Sequence, residues 1–318
     1  MKISIKAFLL LAVIFTLSIT LGCAEEPSEP EWFLLGSVEY ESNKALLELY
    51  SMELTNSDIK PLENFKDLQI LVLDGNNEIS DLSPLKDLRK LEMLWANNCS
   101  ISDFSTLSNL KKFTRLEVTN NSISDISTLK DLTNLDILNL NENLISDVSP
   151  LKDLKELGFL HLNSNAISDI SALKGLKKLE LLHLNSNRIS DISALKDLEN
   201  LRTLTLHGNP IGDISPLEEM SELYYLDLSN IHIADIACLK GSANMRSLFL
   251  RNTRIKDIGA LSSLTSLETL DLGKNQIDDV SALMELKELT TLYLDENPID
   301  GEQIAEIKAA LPNCTIYA

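Results

Sequence analysis

Two histidines, His161 and His183, stand 22 residues apart in the same setting, LHLNSN, so whatever places one places the other. Paired imidazoles at neighbouring positions are the start of a transition-metal site, which further N, O or S ligands complete. The matching residue one period earlier is Asn139, and His207 lies two residues off the same grid, so no third strong ligand is in evident reach. The pair therefore reads as solvent-facing histidines that can make binding sensitive to pH, and no metal is assigned. Other reactive constellations are missing from the chain: it has no glycine-rich phosphate loop, no H-E-x-x-H and no nucleophile elbow. Carboxylates are abundant, but Asp169 and its counterparts recur once per period, and a residue repeated in this way is no unique catalyst. Arg246, Arg251 and Arg254 fall in one period near Asp227, Glu268 and Asp271. There, cross-strand ion pairing competes with service as an anchor for a partner's carboxylates. No catalytic residue, no cofactor and no enzyme emerge from these constellations.

What must position such residues is the period itself. Residues 157–178, LGFLHLNSNAISDISALKGLKK, are followed by LELLHLNSNRISDISALKDLEN, nearly the same string. Leu160 and Leu162 alternate as the inward face of a strand does, whereas Leu173 and Leu176 are spaced as on a short helical turn. One copy has an apolar edge with nothing to cover it, and stacked copies cover one another, giving a single core that runs the length of the array. Asn165 suits a buried amide that satisfies loop backbone groups, and Asp169 can cap the free N–H groups of the segment after it. Pro84, Pro150 and Pro216 fall near the first turn of that segment, where a missing N–H costs little.

Ten full copies begin at Leu68, Leu91, Phe113, Leu135, Leu157, Leu179, Leu201, Leu223, Met245 and Leu267, all on 22-residue spacing except the first, which has 23. This pattern resembles the leucine-rich repeat, and the repeat length with its S-D-I-S-x-L half is similar to the internalins and related bacterial surface proteins. The resemblance implies an α/β solenoid with a curved parallel sheet on the concave face and short 3-10 or α-helical segments on the convex face. It also implies binding of other macromolecules through the concave face, and it brings no catalytic residues.

The ends read differently from the array. Lys2 and Lys6, the apolar run Ala7 to Leu21 and Gly22-Cys23 make residues 1–22 a signal peptide, too short in its apolar part for a bilayer-spanning helix, which wants about 20 residues. Ile19 to Cys23 resembles a bacterial lipobox, with Thr20 and Leu21 where leucine and a small residue are more usual. That resemblance implies a diacylated Cys23 as membrane anchor, and Ala24 after it favours an outer membrane where the organism has one. Residues 23–32 form the lipidated cysteine and an acidic tether, 33–67 an N-terminal cap with a degenerate repeat, 68–299 the repeats and 300–318 a C-terminal cap of helix and closing strand. No wall-sorting tail of the LPxTG type is present. Cys99, Cys238 and Cys314 are expected as separate thiols, since Cys99 and Cys238 lie six periods apart, about 29 Å at strand spacing.

Net charge is −20, which excludes nonspecific nucleic-acid binding, since a phosphate backbone needs a basic footprint. Residues between the frame leucines point out of the concave sheet, so columns of equivalent positions trace its surface. Met93, Ile137, Phe159 and Leu181 make an apolar column, with Trp95 beside it. With His161, His183, Tyr225, Phe249, Arg246 and Arg251 they form the expected contact surface for a protein partner. The resulting expectation is a monomeric binding protein of the bacterial cell envelope, anchored through Cys23 to the outer membrane or to the outer face of the plasma membrane. The alternatives are an envelope-spacing protein without a dedicated ligand, and an enzyme or metal-binding protein built on His161 and His183.

Overall fold

The computed structural model describes residues 30–318, so the leader, Cys23 and most of the acidic tether lie outside the described residues. Thirteen strands, from β3 (Leu46–Glu48) to β15 (Thr315–Tyr317), form one parallel sheet whose spatial order is their order in the sequence. Each coil adds a three-residue strand in unshifted register. Leu160 of β8 (Phe159–His161) faces Leu182 of β9 (Leu181–His183), and His161 faces His183. The middle residue of every strand from β3 to the last before β15 is buried, and its flanking residues in most strands are half-buried on the other face. Leucine alternation therefore specifies the register, because a one-residue slip would turn every leucine outward.

Past the strand the backbone still bonds to the next coil: Leu162 N donates to His183 O and Ser164 N to Asn185 O, each at 2.8 Å. The chain then turns through a left-handed residue at the eighth position of the period, occupied by Gly75, Asn98, Asn120, Glu142, Ser164, Ser186, Gly208, Asn230, Asn252, Lys274 and Glu296. On the convex side short 3-10 turns replace longer helices. From Ser83 onward each is opened by the recurring aspartate, as where Ser171 N donates to Asp169 Oδ1 at 2.8 Å and Ser193 N does the same to Asp191, whereas before Lys60–Asn64 Asp58 bonds Thr55 instead. Pro84, Pro150 and Pro216 sit in the first turn of such segments, as the missing N–H suggested.

Between the two faces runs the apolar column, closed at the level of each loop by the asparagines. Asn165 Nδ2 donates to Leu140 O, Leu162 O and Asn163 O, while its Oδ1 accepts from Ile145 N of the preceding coil. The same fourfold pattern holds at Asn143, Asn187 and Asn275, so a single amide side chain ties two coils together. Ile231 interrupts the ladder: the backbone bond from His232 N to Ile211 O lengthens to 3.4 Å, against 2.8 Å for Arg188 N to Ile167 O. At Cys99 the thiol points to Leu73 O at 3.6 Å, a weak replacement for the amide.

Both ends of the array are covered. An antiparallel hairpin of β1 (Trp32–Leu35) and β2 (Val38–Glu41) buries Leu35 and sets Phe33 against Phe65, ring centroids 5.8 Å apart. At the other end helix α1 (Gly301–Ala310), N-capped by Asp300, lays Ile307 on the last coil before β15 closes the sheet. Cys99, Cys238 and Cys314 are free thiols, each partly buried. Among the described residues, no helix is long and apolar enough to cross a membrane.

Candidate functional site on the concave face

The concave face is built by strand residues that the pleat turns away from the leucine column, and the parallel register sets their side chains in rows at about 4.8 Å spacing. Met93, Ile137, Phe159 and Leu181 do share a row, as their positions in the period require. All four are half-buried, because each packs along its neighbours in the row. Trp95 is half-buried as well. The guanidinium of Arg115 lies 4.8 Å from the centre of its ring and is held there by Glu117, whose Oε1 accepts from Arg115 Nε at 2.6 Å. One face of this expected aromatic anchor is thus covered by a charged group. Arg115 and Glu117 belong to the same surface and were missed as site residues; the signal was their place on β6 (Arg115–Glu117), directly beside Met93 and Trp95.

The histidines differ from the expectation. Rather than facing solvent separately, His161 and His183 are half-buried and touch: their Nδ1 atoms are 3.0 Å apart and their rings meet edge to face, with centroids 4.7 Å apart. One Nδ1 must donate to the other, so the accepting ring is neutral in this arrangement. Burial, then the neighbouring His183, then Arg115 push the His161 imidazole down to about 4, and burial lowers His183 too. A histidine near 6.5 unfolded and about 4 folded takes up its proton first in the unfolded chain, so its contribution to stability is complete above pH 6.5 and is lost as pH falls toward 4. Relative to His161→Gln, the wild type is expected to lose about 2 kcal/mol of unfolding free energy between pH 7.5 and 4.5. Urea titrations of both proteins at the two pH values measure this, and parallel pH profiles would contradict it.

Arg202, Arg246 and Arg251 are engaged within the molecule. Arg246 pairs with Glu268 and Arg202 with Glu180. Arg251 reaches past its neighbouring coil to Asp295, with Nη2–Oδ2 at 2.6 Å and Nη1–Oδ1 at 3.0 Å, and lies 3.4 Å from Asp271. Gly273, the residue crossed, makes this possible, since a Cβ there would meet the guanidinium. Tyr225 and Phe249 pack on each other, ring centroids 5.3 Å apart, and continue the aromatic surface towards the C-terminal half. At the edge where the strands begin, Glu92, Asp136, Glu156, Phe159, Lys178 and Arg202 help to line an open trough of about 1490 Å³ with both signs of charge. Among the described residues no group of three His, Cys, Asp or Glu side chains converges as a metal site would.

This geometry agrees with the comparisons. A family model described as leucine-rich repeats in two copies matches residues 133–175, 199–241 and 243–283, and a second leucine-rich repeat model matches 157–211. The solved structure of an internalin (inlF) from Listeria monocytogenes superposes with a TM-score of 0.84 at 33% identity, over 88% of this chain and 83% of that one. The chain belongs to the internalin-like leucine-rich repeat proteins. An internalin C2 (inlC2) from the same organism is 35% identical over 59% of this chain and 83% of that one, with a TM-score of 0.58. A leucine-rich repeat protein from Leptospira interrogans shares the fold at 21% identity, with a TM-score of 0.65 over 81% of this chain and 80% of that one. A comparison with curated protein sequences returned no match. In this internalin-like chain the match to inlF spans most of the solenoid, so the frame and the sheet are common to both, while the concave rows are its own surface to interpret.

Proposed function

We propose that the chain is a cell-surface binding protein, lipid-anchored through Cys23, that holds a protein partner on the N-terminal half of its concave face. The reading rests on one observation above the rest: a continuous half-buried row of Met93, Ile137, Phe159 and Leu181, interrupted only by Arg115 and flanked by Trp95. A row of this kind already has its shape fixed by its neighbours, so little side-chain entropy is lost when a partner covers it. Charged groups around it, Glu117 and Arg115 among them, suit a polar rim. Tyr225, Phe249 and His183 extend the contact towards the middle of the sheet. Arg251, already bidentate to Asp295, and Arg246, paired with Glu268, serve the rim at most. The reading assigns no reaction, cofactor or nucleic-acid partner, and takes the chain as a monomer on the bacterial cell envelope.

The test is capture of a protein from envelope and host-cell extracts by the chain, beside a Trp95→Ala, Phe159→Ala double variant. The variant is expected to lose at least ten-fold in affinity for the captured protein while its thermal unfolding stays cooperative, as befits two anchors in one interface. Equal capture by both proteins would remove the N-terminal patch from consideration. A spacer with no dedicated ligand would capture nothing in either form.

A further inference from the structure

Among the described residues, the contact between His161 and His183 brings two imidazole nitrogens together on the concave face, and it is independent of any protein partner. The two Nδ1 atoms are 3.0 Å apart on adjacent parallel strands. Two nitrogens bound to one ion at roughly 2.05 Å are about 2.9 Å apart at a right-angled geometry and about 3.3 Å apart at a tetrahedral one. The observed separation falls inside that interval, so a metal is admitted without movement of the strands once the two rings, now edge to face, turn so that their Nδ1 lone pairs converge. We propose that His161 and His183 chelate a single divalent transition-metal ion through their Nδ1 atoms, with Cu(II) held most tightly.

Three further features favour it. Both imidazoles are half-buried on a face open to solvent, so the ion can reach them and the remaining coordination positions stay open to water or to a partner's side chain. The next residue in the same row is Thr205, paired in register with His183; it is 5% exposed, and its Oγ1 has no hydrogen-bond partner among the described residues. On the other side of the pair stands Asn139, in register with His161. The row thus reads amide, imidazole, imidazole, hydroxyl, with two neutral oxygens flanking two nitrogens, of which Asn139 Oδ1 also accepts from Asn141 N at 3.2 Å. Nitrogen donors without thiolates suit Cu(II), Ni(II) and Zn(II), and the order of divalent affinities puts Cu(II) first. At long range the net charge of −20 favours a cation, while at the site the positive charge of Arg115 acts against it. Binding exchanges the shared Nδ1 proton for an Nε2–H tautomer on both rings, so each ring stays neutral and no net proton is released.

The test titrates the full chain with CuSO4 and, separately, with ZnCl2, following heat release for both ions and the electron paramagnetic resonance spectrum for copper. The expected result is one equivalent of copper with hyperfine splitting from two nitrogens, and weaker binding of zinc. His161→Gln and His183→Gln should each weaken copper binding at least ten-fold, the double variant should abolish the one-equivalent step, and His207→Gln should leave it unchanged. Imidazole nitrogen spectra of the wild type during the zinc titration read the same site without a variant, and the Nδ1 signals of His161 and His183 should move together. Absence of binding of either ion overturns the proposal, as does a one-equivalent step that survives the double variant, or nitrogen shifts confined to His207 or His232.

Discussion

Leu182→Ala is expected to lower the unfolding free energy by about 3–5 kcal/mol and to divide a single unfolding transition into two. Leu182 is fully buried on β9, with Leu160 and Leu204 directly beside it in the strands on either side. Truncation removes the transfer energy of the side chain and leaves a cavity whose walls cannot collapse, because both neighbours are held by strand register. In a solenoid each coil touches only the next, so the lost contact weakens the coupling between the coils before it and those after it. Two transitions in urea, each with a smaller slope than that of the wild type, are the expected signature. Leu144→Ala is the control: that leucine is 61% exposed in a loop, and its truncation should cost less than about 0.5 kcal/mol. A single transition with a loss below about 1 kcal/mol for Leu182→Ala would contradict the stacked-column account.

The frame was legible because it repeats by residue type. Leucines at fixed places give the strand and the core, Asn165 and its equivalents the loop ladder, and Asp169 and its equivalents the opening of the 3-10 turns from Ser83 onward, all as the spacing predicts. What the sequence hid are features whose residue types vary or whose geometry crosses a coil. The left-handed eighth residue is glutamate at 142, serine at 164, lysine at 274 and glycine at 208, so no type signals it; the constraint comes from the turn out of the sheet. Arg251 finds Asp295 because Gly273 leaves a gap between them, a relation spanning two coils that nearest-neighbour columns do not express. Column position placed His161 beside His183 and Arg115 beside Met93, diagonal to Trp95. It could not say that the imidazoles lean together or that the guanidinium lies over the indole, since those depend on side-chain rotamers within a row.

Asn187→Ala should cost about 3 kcal/mol, a large loss for a polar side chain carrying no charge. Its amide is 7% exposed, its Oδ1 accepts from Ile167 N at 3.0 Å, and its Nδ2 donates to Leu162 O, Leu184 O and Asn185 O at 2.9, 3.1 and 3.2 Å. Alanine would leave an N–H and carbonyl oxygens of two coils without that partner, and each buried polar group left unsatisfied costs about 1–3 kcal/mol. The chain itself supplies the comparison at Ile231, where the amide is replaced. There Ile211 N–H has no acceptor among the described residues, yet the coil keeps its place, because isoleucine at this position is wholly buried and its apolar burial offsets part of the missing hydrogen bonding. Asn187→Ile should therefore be milder than Asn187→Ala, by about 1–2 kcal/mol, although it removes the same hydrogen bonds. Urea unfolding ranks the two variants, and amide exchange locates the damage: the Ile167 amide should lose protection in both, while the Ile189 amide, bonded to Asn209 Oδ1 at 3.0 Å, should keep it. Equal stability of the alanine variant and the wild type, or an unchanged Ile167 amide, would mean that the asparagine ladder follows the coil geometry rather than fixing it.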